Sequence, residues 1–220
     1  MFSGRVCGSV RRGGSWVKEC CGDRLPAKDE TIPTMDEHYL DNERWLTARL
    51  SLRRPTRADI DAIYRIHRDP RACAYNPSDM LATRIDAEDL YLRWDEHWNR
   101  HGFGYWGIRW RGDHRPEAIL GFCGFKLMRL SNRDVLNLFY RLDPAVWGDG
   151  VATEAAAAVV AWAMSHGPGH PVIARVRPDN VASTRVATRA GLSRAEHLDT
   201  HGEDGLDWIY TKNWEDGGSA

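Results

Sequence analysis

Residues 147–164 have the sequence WGDGVATEAAAAVVAWAM, in which a loop with two glycines leads into the strongest helical pattern of the chain. Val151, Ala155, Val159 and Ala163 recur at four-residue steps, so these small side chains form one row that can pack closely on a sheet. The first N–H groups of such a helix have no partner inside it and lie at the positive end of the helix dipole. The loop therefore favours a phosphate or pyrophosphate ligand, although a loop that only turns the chain would contain the same glycines.

Apolar periodicity on both sides of this helix predicts alternating strands and helices. Before it, the pattern predicts a strand that begins at Ala48, helices at 58–67 and 85–99, and strands at 104–111, 118–127 and 135–142. After it, the pattern predicts a strand at 171–176, a helix from Asp179 or Asn180 to Arg189 with Gly191 as its C-cap, and strands at 193–199 and 206–212. Short connections between the middle three strands favour antiparallel pairing, whereas the strand–helix–strand unit around residues 151–164 requires parallel strands. The predicted class is therefore a mixed α/β (α+β) domain.

The length of 220 residues favours one domain, which we place at residues 46–214. Residues 1–45 are rich first in glycine and then in charged side chains, without an apolar period, and this composition predicts a flexible extension. Translation could start at Met35, in which case the residues before it would not belong to the protein. Residues 215–220 are predicted to be a disordered tail.

The charge balance, with 30 Lys and Arg against 31 Asp and Glu, gives no general attraction to nucleic acid or to an anionic membrane. The five cysteines form no CxxC pair and no zinc-binding spacing, so no metal is expected. No apolar run approaches the roughly 18 to 20 residues that cross a bilayer, and no signal peptide is visible. The sequence thus predicts a cytoplasmic protein without nucleic-acid or membrane partners, either a monomer or a homodimer.

The loop at 147–153 matches neither the GxxxxGK[ST] pattern of P-loop proteins nor the GxGxxG pattern of dinucleotide sites. It resembles the pyrophosphate loop of GNAT acetyltransferases, whose pattern is Gln or Arg, two residues, Gly, one residue, and then Gly or Ala. Trp147, Gly150 and Ala152 occupy those three positions, and Trp147 departs from the pattern. The run WGDGVATEA is similar to the variant of the RimJ/RimL-like branch, which acetylates ribosomal-protein N-termini. Residues 180–192, NVASTRVATRAGL, resemble the second motif of that branch, with a final Leu in place of the usual Phe.

The resemblance implies the GNAT fold, in which a central mixed sheet of six to seven mostly antiparallel strands is split between its fourth and fifth strands. About four helices would flank this sheet. Acetyl-CoA, the acyl donor, would bind in the V-shaped gap between strands 135–142 and 171–176. The implied cofactor-binding residues are Tyr140, Arg141, Leu142, Trp147, Gly148, Asp149, Gly150, Val151, Ala152, Thr153, Asn180 and Ser183.

The implied reaction is a direct attack of a primary amine on acetyl-CoA, without a covalent enzyme intermediate and without a metal. Many relatives use a helix tyrosine as the general acid, but Ala187 occupies that position here. Ser183 is therefore the candidate replacement. Asn180 would face the thiol end of acetyl-CoA and can also cap its own helix, which makes it the second catalytic candidate.

No motif specifies the acceptor amine. An α-amine, with a pKa of about 7.7 to 8.0, is neutral more often at pH 7 than a lysine near about 10.4, so an α-amine or another amine of similarly low pKa is favoured, such as a protein N-terminus. A small molecule such as an antibiotic or a polyamine is an alternative acceptor, and a non-catalytic acyl-CoA-binding module is an alternative function. Four acidic residues near the last hairpin would either attract a cationic acceptor or form a solvated cluster: Asp199, Glu203, Asp204 and Asp207.

Overall fold

The computed structural model describes residues 10–12, 15–17, 39–41, 44–113 and 118–215. The chain divides into two compact units, residues 1–35 and 36–220. In the first unit two short strands, β1 (Val10–Arg12) and β2 (Ser15–Val17), pair in antiparallel fashion. Met35 and most of the predicted extension and tail lie outside the described residues.

The second unit contains ten strands and four helices in its described part. The strands are β3 (Tyr39–Asp41), β4 (Arg44–Leu46), β5 (Leu50–Arg53), β6 (Tyr105–Trp110), β7 (Gly121–Leu130), β8 (Arg133–Leu142), β9 (Val172–Val176), β10 (Ser193–Arg194), β11 (Thr200–Gly202) and β12 (Gly205–Lys212). The helices are α1 (Ile60–His67), α2 (Arg84–His101), α3 (Val151–His166) and α4 (Val181–Arg189). The four predicted helices are confirmed. Within these ranges no helix is both long and apolar enough to cross a membrane.

The helices begin and end at residues whose chemistry explains the boundaries. Thr83 precedes α2 and forms a capping box with Asp86, and Gly102 follows α2 with a φ of 73°. The side chain of Asn180 accepts a hydrogen bond from the backbone N–H of Ser183 at the start of α4. These caps satisfy backbone groups that have no partner within the helices.

The sheet has the strand order β10-β12-β9-β8-β7-β6-β5-β4-β3, and β11 pairs with β12 outside this path. Among the described strands, β8 and β9 form the parallel pair and all other neighbours are antiparallel. The predicted mixed, mostly antiparallel class is therefore confirmed. The number of strands exceeds the predicted six to seven, because β3 and β4 precede the first predicted strand and β11 lies between the last two predicted strands.

The helices cover the two faces of the sheet. The α3 residues Ala155 and Val159 share a buried cluster with Leu136 and Leu138 of β8, so α3 packs on that face. A second buried cluster joins α1 and α2 to the other face, where Phe139 of β8 packs. Side chains of β8 therefore alternate between an α3/α4 side and an α1/α2 side.

The sheet splits between β8 and β9. Their parallel ladder extends only from Leu136 opposite Val172 to Leu138 opposite Ala174. Beyond that point β8 continues along β7 and β9 continues along β12, so the carboxyl ends of the two strands diverge. This gap confirms the predicted split between the fourth and fifth strands counted from Leu50.

Two predicted strands have different boundaries. The strand expected at 193–199 ends after Arg194, because the carboxylate of Asp199 binds the Arg194 guanidinium and the Ile209 N–H in place of a ladder partner. A 3₁₀ helix occupies Glu196–Leu198. The strand expected at 118–127 instead runs to Leu130, because it pairs with β8 residue by residue up to the turn.

Candidate active site

The loop before α3 exposes its backbone. Residues 147–150 are exposed, and Gly148 and Gly150 have φ angles of 90° and 77°. The first backbone hydrogen bond of the helix runs from the N–H of Glu154 to the carbonyl of Gly150, at 3.0 Å. The N–H groups of residues 151–153 find no acceptor among the described residues. These donors, at the positive end of a 16-residue helix, form an arrangement suited to an anion.

The described residues leave space beside the two glycines of this loop. A Cβ atom added to Gly148 would meet no atom within 4 Å in the described part of the chain. Among the described residues, the one atom that a Cβ added to Gly150 would meet within 4 Å is Nη2 of Arg49, at 3.4 Å. The described side chain that approaches this glycine is thus cationic, and the loop fits a phosphate or pyrophosphate group.

Arg49 and Thr47, in the turn between β4 and β5, connect this loop to the sheet. Arg49 donates through Nε to Glu154 of α3 at 2.6 Å, and through Nη1 to the carbonyl of Asp149 at 3.0 Å. Thr47 donates to the other carboxylate oxygen of Glu154 at 2.6 Å. Burial acts to raise the pKa of Glu154, but these hydrogen bonds outweigh it and lower the pKa below its usual value. This contact leaves no local pattern in the sequence, because it joins residues about a hundred positions apart.

A cleft of about 100 Å³ lies in the gap between β8 and β9. Tyr140, Arg141, Asn180 and Ser183 line this cleft, so the structure brings together four of the predicted site residues. Their positions follow from the topology, because α4 begins just after β9 and its first turn faces the unpaired end of β8.

Tyr140 and Asn180 fix the first turn of α4 at the cleft. The hydroxyl of Tyr140 donates to the carbonyl of Ser183 at 3.1 Å, and the side-chain oxygen of Asn180 accepts from the N–H of Ser183 at 3.0 Å. Burial raises the pKa of Tyr140 above its usual range, so the phenol keeps its proton at neutral pH. Asn180 is therefore a helix cap as well as a cleft residue.

On the α1/α2 side the cleft is lined by three arginines, Arg141, Arg175 and Arg177, which we call the arginine wall. Arg141 donates through Nη2 to Asp79 at 2.7 Å. Arg175 donates through Nε to Asp207 at 2.8 Å. Arg175 and Arg177 alternate with Ala174 and Val176 along the end of β9 and the residue after it. This period of two at the end of a buried strand is the sequence signal that could have indicated the arginines.

The acidic residues of the last hairpin are mostly paired. Asp207 is 3% exposed and contacts both Arg175 and Arg177. Asp204 accepts hydrogen bonds from the N–H and hydroxyl of Ser78, and the hydroxyl contributes most to lowering its pKa. Asp199 pairs with Arg194 as described, and Glu203 is exposed. A solvated cluster is therefore wrong for three of the four residues.

His67, at the end of α1, is buried close to the arginine wall. Burial, with a smaller contribution from the positive charge of Arg141, lowers the pKa of His67 to about 3. The ring is therefore neutral at pH 7, with Nδ1 placed 3.0 Å from the carbonyl of Ile63. Such a weakly basic imidazole cannot accept a proton from an ammonium group at neutral pH.

The other predicted residues belong to the loop or to the end of β8. Trp147 is 51% exposed, and its indole N–H donates to the carbonyl of Leu142 at 3.3 Å, which places the loop beside the end of the strand. Gly148 to Thr153 form the loop and first turn of α3 described above. Residues 44–113 and 118–215 contain no group of three or more potential metal ligands.

Comparison with known proteins identifies the family. Residues 49–193 match the acetyltransferase (GNAT) domain. A Bacillus subtilis (strain 168) protein called "Uncharacterized protein YkkB" is 33% identical over 97 residues. That match covers 43% of this chain and 56% of the relative, so the chain spans little more than half of the relative's length.

Solved acetyltransferase structures share the fold. An acetyltransferase from Agrobacterium tumefaciens str. C58 gives a TM-score of 0.66 at 23% identity, over 80% of this chain and 97% of that chain. RimL, a ribosomal L7/L12 alpha-N-protein acetyltransferase in complex with coenzyme A, gives a TM-score of 0.60 at 16% identity, over 76% and 94%. At these identities the likeness shows the fold alone. Because the domain match covers more than half of its residues, the chain belongs to the GNAT acetyltransferase family.

Proposed function

We propose that this enzyme binds acetyl-CoA across the loop of α3 and the β8/β9 gap, and that a primary amine attacks it directly in a ternary complex. The observation that carries the proposal is the combination of two features in one chain. A loop with unpaired N–H donors lies beside the strand end at which the sheet opens. Acetyl-CoA has a pyrophosphate and a pantetheine arm that suit these two features in turn.

The backbone would hold most of the donor molecule. Residues 148–153 would donate N–H groups to the pyrophosphate, and the unpaired edge of Tyr140 to Leu142 would pair with the pantetheine amides. Bound there, acetyl-CoA supplies an acetyl group activated as a thioester. A backbone N–H on the same edge of β8 would stabilise the charge that develops on the acetyl oxygen.

The side chains that line the cleft favour an acceptor that arrives as a neutral amine. No Asp, Glu or His is among the described residues that line the cleft, so no side chain there is an evident general base. An α-amine, with a solution pKa of about 7.7 to 8.0, meets this requirement more readily than a lysine side chain.

The departing sulfur would lie beside the first turn of α4. The hydroxyl of Ser183 is the nearest predicted proton donor, and Asn180 and Tyr140 hold its backbone in place through hydrogen bonds of 3.0 and 3.1 Å. A thiol pKa of about 8.5 makes the thiolate a good leaving group. Proton donation therefore needs to contribute only modestly to the rate.

Two acceptor classes fit this site. The protein N-terminal α-amine is supported by the sequence motifs and by the fold shared with RimL. A small-molecule amine is favoured by the size of the cleft, about 100 Å³, which accommodates few atoms beyond the reacting group. A module that binds acyl-CoA without turnover is the remaining alternative.

A binding assay and a turnover assay test the proposal together. Acetyl-CoA at a hundredfold excess over its Kd should raise the free energy of unfolding by about 2.7 kcal/mol, and ATP and NAD should not stabilise the fold. Thiol release should then depend on an added amine from a panel of peptides, amino acids and polyamines. Equal stabilisation by ATP and acetyl-CoA would exclude the assigned donor site. Binding of acetyl-CoA without thiol release for any amine would favour the non-catalytic module.

A further inference from the structure

Arg141 has an unused hydrogen-bond donor at the cleft. The residue is 6% exposed, and its Nη2 is engaged by Asp79 at 2.7 Å. Its Nη1 is buried and has no hydrogen-bond partner in the described part of the chain. A buried guanidinium N–H without a partner is costly, and such sites commonly await a ligand or an ordered water.

The neighbours of Arg141 leave this donor free. Phe139 lies under the guanidinium at 5.4 Å and offers only its ring face. The imidazole of His67 is neutral, and burial raises the pKa of the nearby Cys73 thiol, so neither group supplies a negative charge. Asp79 is the one carboxylate that pairs with Arg141 among the described residues, and it occupies the other terminal nitrogen.

Arg177 shapes the same end of the cleft but is already engaged. Its Nε donates to the carbonyl of Tyr75 at 3.2 Å and to the side-chain oxygen of Asn76 at 3.3 Å. Its Nη1 lies 3.2 Å from Asp207, within ion-pair distance although without hydrogen-bond geometry. The charge of Arg177 is therefore largely compensated, and Arg141 has the available donor.

We propose that Arg141 binds a carboxylate of the acceptor, so that the natural acceptor is an amine that also carries a carboxylate group, such as an amino acid or a short acidic peptide. The inference rests on the proposed function and names its substrate class. Arg141 points to the α1/α2 side of the sheet, opposite the α3 side where the phosphates of acetyl-CoA would bind. A carboxylate can accept a charge-assisted hydrogen bond from the free Nη1 donor of Arg141, and its small size suits a cleft of about 100 Å³.

Product inhibition of the unaltered enzyme tests the carboxylate directly. We would compare N-acetyl amino acids with their N-acetyl amides, for alanine, leucine, phenylalanine and glutamate, each in the presence of CoA. Both members of a pair lack a basic amine, so amine basicity does not affect the comparison. We expect at least one free acid to bind about ten- to a hundredfold more tightly than its amide, because a charge-assisted hydrogen bond is lost in the amide. Equal binding within every pair would overturn the inference.

A substitution assigns the effect to Arg141. Arg141→Lys keeps the positive charge but moves the hydrogen-bond donor, and Arg141→Gln removes the charge, so the preference for the acid should shrink in the first variant and vanish in the second. The control is Arg100→Lys, which alters an exposed arginine paired with Glu96 in the last turn of α2. An unchanged preference in Arg141→Gln, with the fold verified by thermal unfolding, would overturn the inference.

The same assays separate this inference from the proposed function. If thiol release were equally efficient with neutral and with carboxylated amines, the proposal that the acceptor carries a carboxylate would be overturned. The proposed acetyltransferase activity would stand. A phosphorylated amine, such as phosphoethanolamine, that outcompetes all carboxylated acceptors would also overturn the carboxylate proposal. Failure to bind acetyl-CoA at all would instead remove the proposed function.

Discussion

Arg49 donates a hydrogen bond from Nη1 to the backbone carbonyl of Asp149 at 3.0 Å, so a turn of the sheet is attached to the loop that precedes α3. The same guanidinium pairs through Nε with Glu154 one helical turn later. The loop is thereby held at two points by one side chain. Its N–H donors are oriented before any ligand arrives, which reduces the ordering cost of binding.

Replacing Glu154 with Gln should therefore loosen the loop. The amide cannot reproduce the ion pair with Arg49, although it can still accept from Thr47. Because Arg49 is half exposed, we expect a loss of only about 0.5 to 1 kcal/mol in the free energy of unfolding. The affinity for CoA should fall several-fold, as measured by calorimetry. Glu88→Gln, which removes a surface pair with Arg84, is the control; equal effects on CoA affinity in both variants would contradict a role in the loop.

Gly150→Asp should abolish most CoA binding. The carboxylate would lie where the pyrophosphate is expected and would repel it, and the positive φ of 77° adds backbone strain. The loss of one or two charge-assisted hydrogen bonds corresponds to a weakening of about ten- to ten-thousand-fold. The dissociation constant for CoA checks this expectation.

Gly169→Asp is the matched control for that experiment. Gly169 has a φ of 79° and no described atom within 4 Å of an added Cβ, but it lies in the loop after α3. Both variants should lose similar stability, and only Gly150→Asp should lose CoA affinity. A folded Gly150→Asp protein that binds CoA as well as the wild type would exclude the phosphate loop.

Ser183→Ala should separate chemistry from binding. The backbone contacts of Ser183 with Asn180 and Tyr140 do not involve its hydroxyl, so the cleft should keep its shape. We expect a CoA affinity near that of the wild type and a modest loss of turnover, up to about tenfold. Steady-state kinetics at saturating acetyl-CoA would measure it, and an unchanged kcat would exclude Ser183 as the proton donor.

His67 should make the fold less stable in mild acid. Its pKa is about 3 in the folded protein and 6.5 in the unfolded chain, so below pH 6.5 the unfolded chain takes up a proton that the folded protein does not. Stability from this residue is therefore complete above pH 6.5 and decreases as the pH falls towards 3, by about 1.4 kcal/mol per pH unit. Urea unfolding of the wild type and of His67→Phe between pH 7 and pH 4 measures the difference. Parallel pH profiles for the two proteins would contradict this origin of the acid sensitivity.

Local sequence patterns were enough to predict the class of the fold and the position of the loop. The two glycines and the row of small residues in 151–163 identify a helix that packs closely on a sheet, and both signals are local. The order of strands and helices likewise follows from periodicity, and the structure confirms the four helices and the split in the sheet. The shortest strands were not predicted, because two or three residues are too few to show a period.

Which charged side chains contact each other depends on the tertiary structure. Arg141 and Asp79 are 62 positions apart, and Arg177 and Tyr75 are 102 apart, so neither contact has a signature in the local sequence. Local patterns report which face of a strand is buried, but partners for a buried charge depend on which strands become neighbours. For this reason Asp204 and Asp207, expected from composition to be solvated or to attract a cation, instead contact arginines of the arginine wall. Nη1 of Arg141 stays unpaired among the described residues.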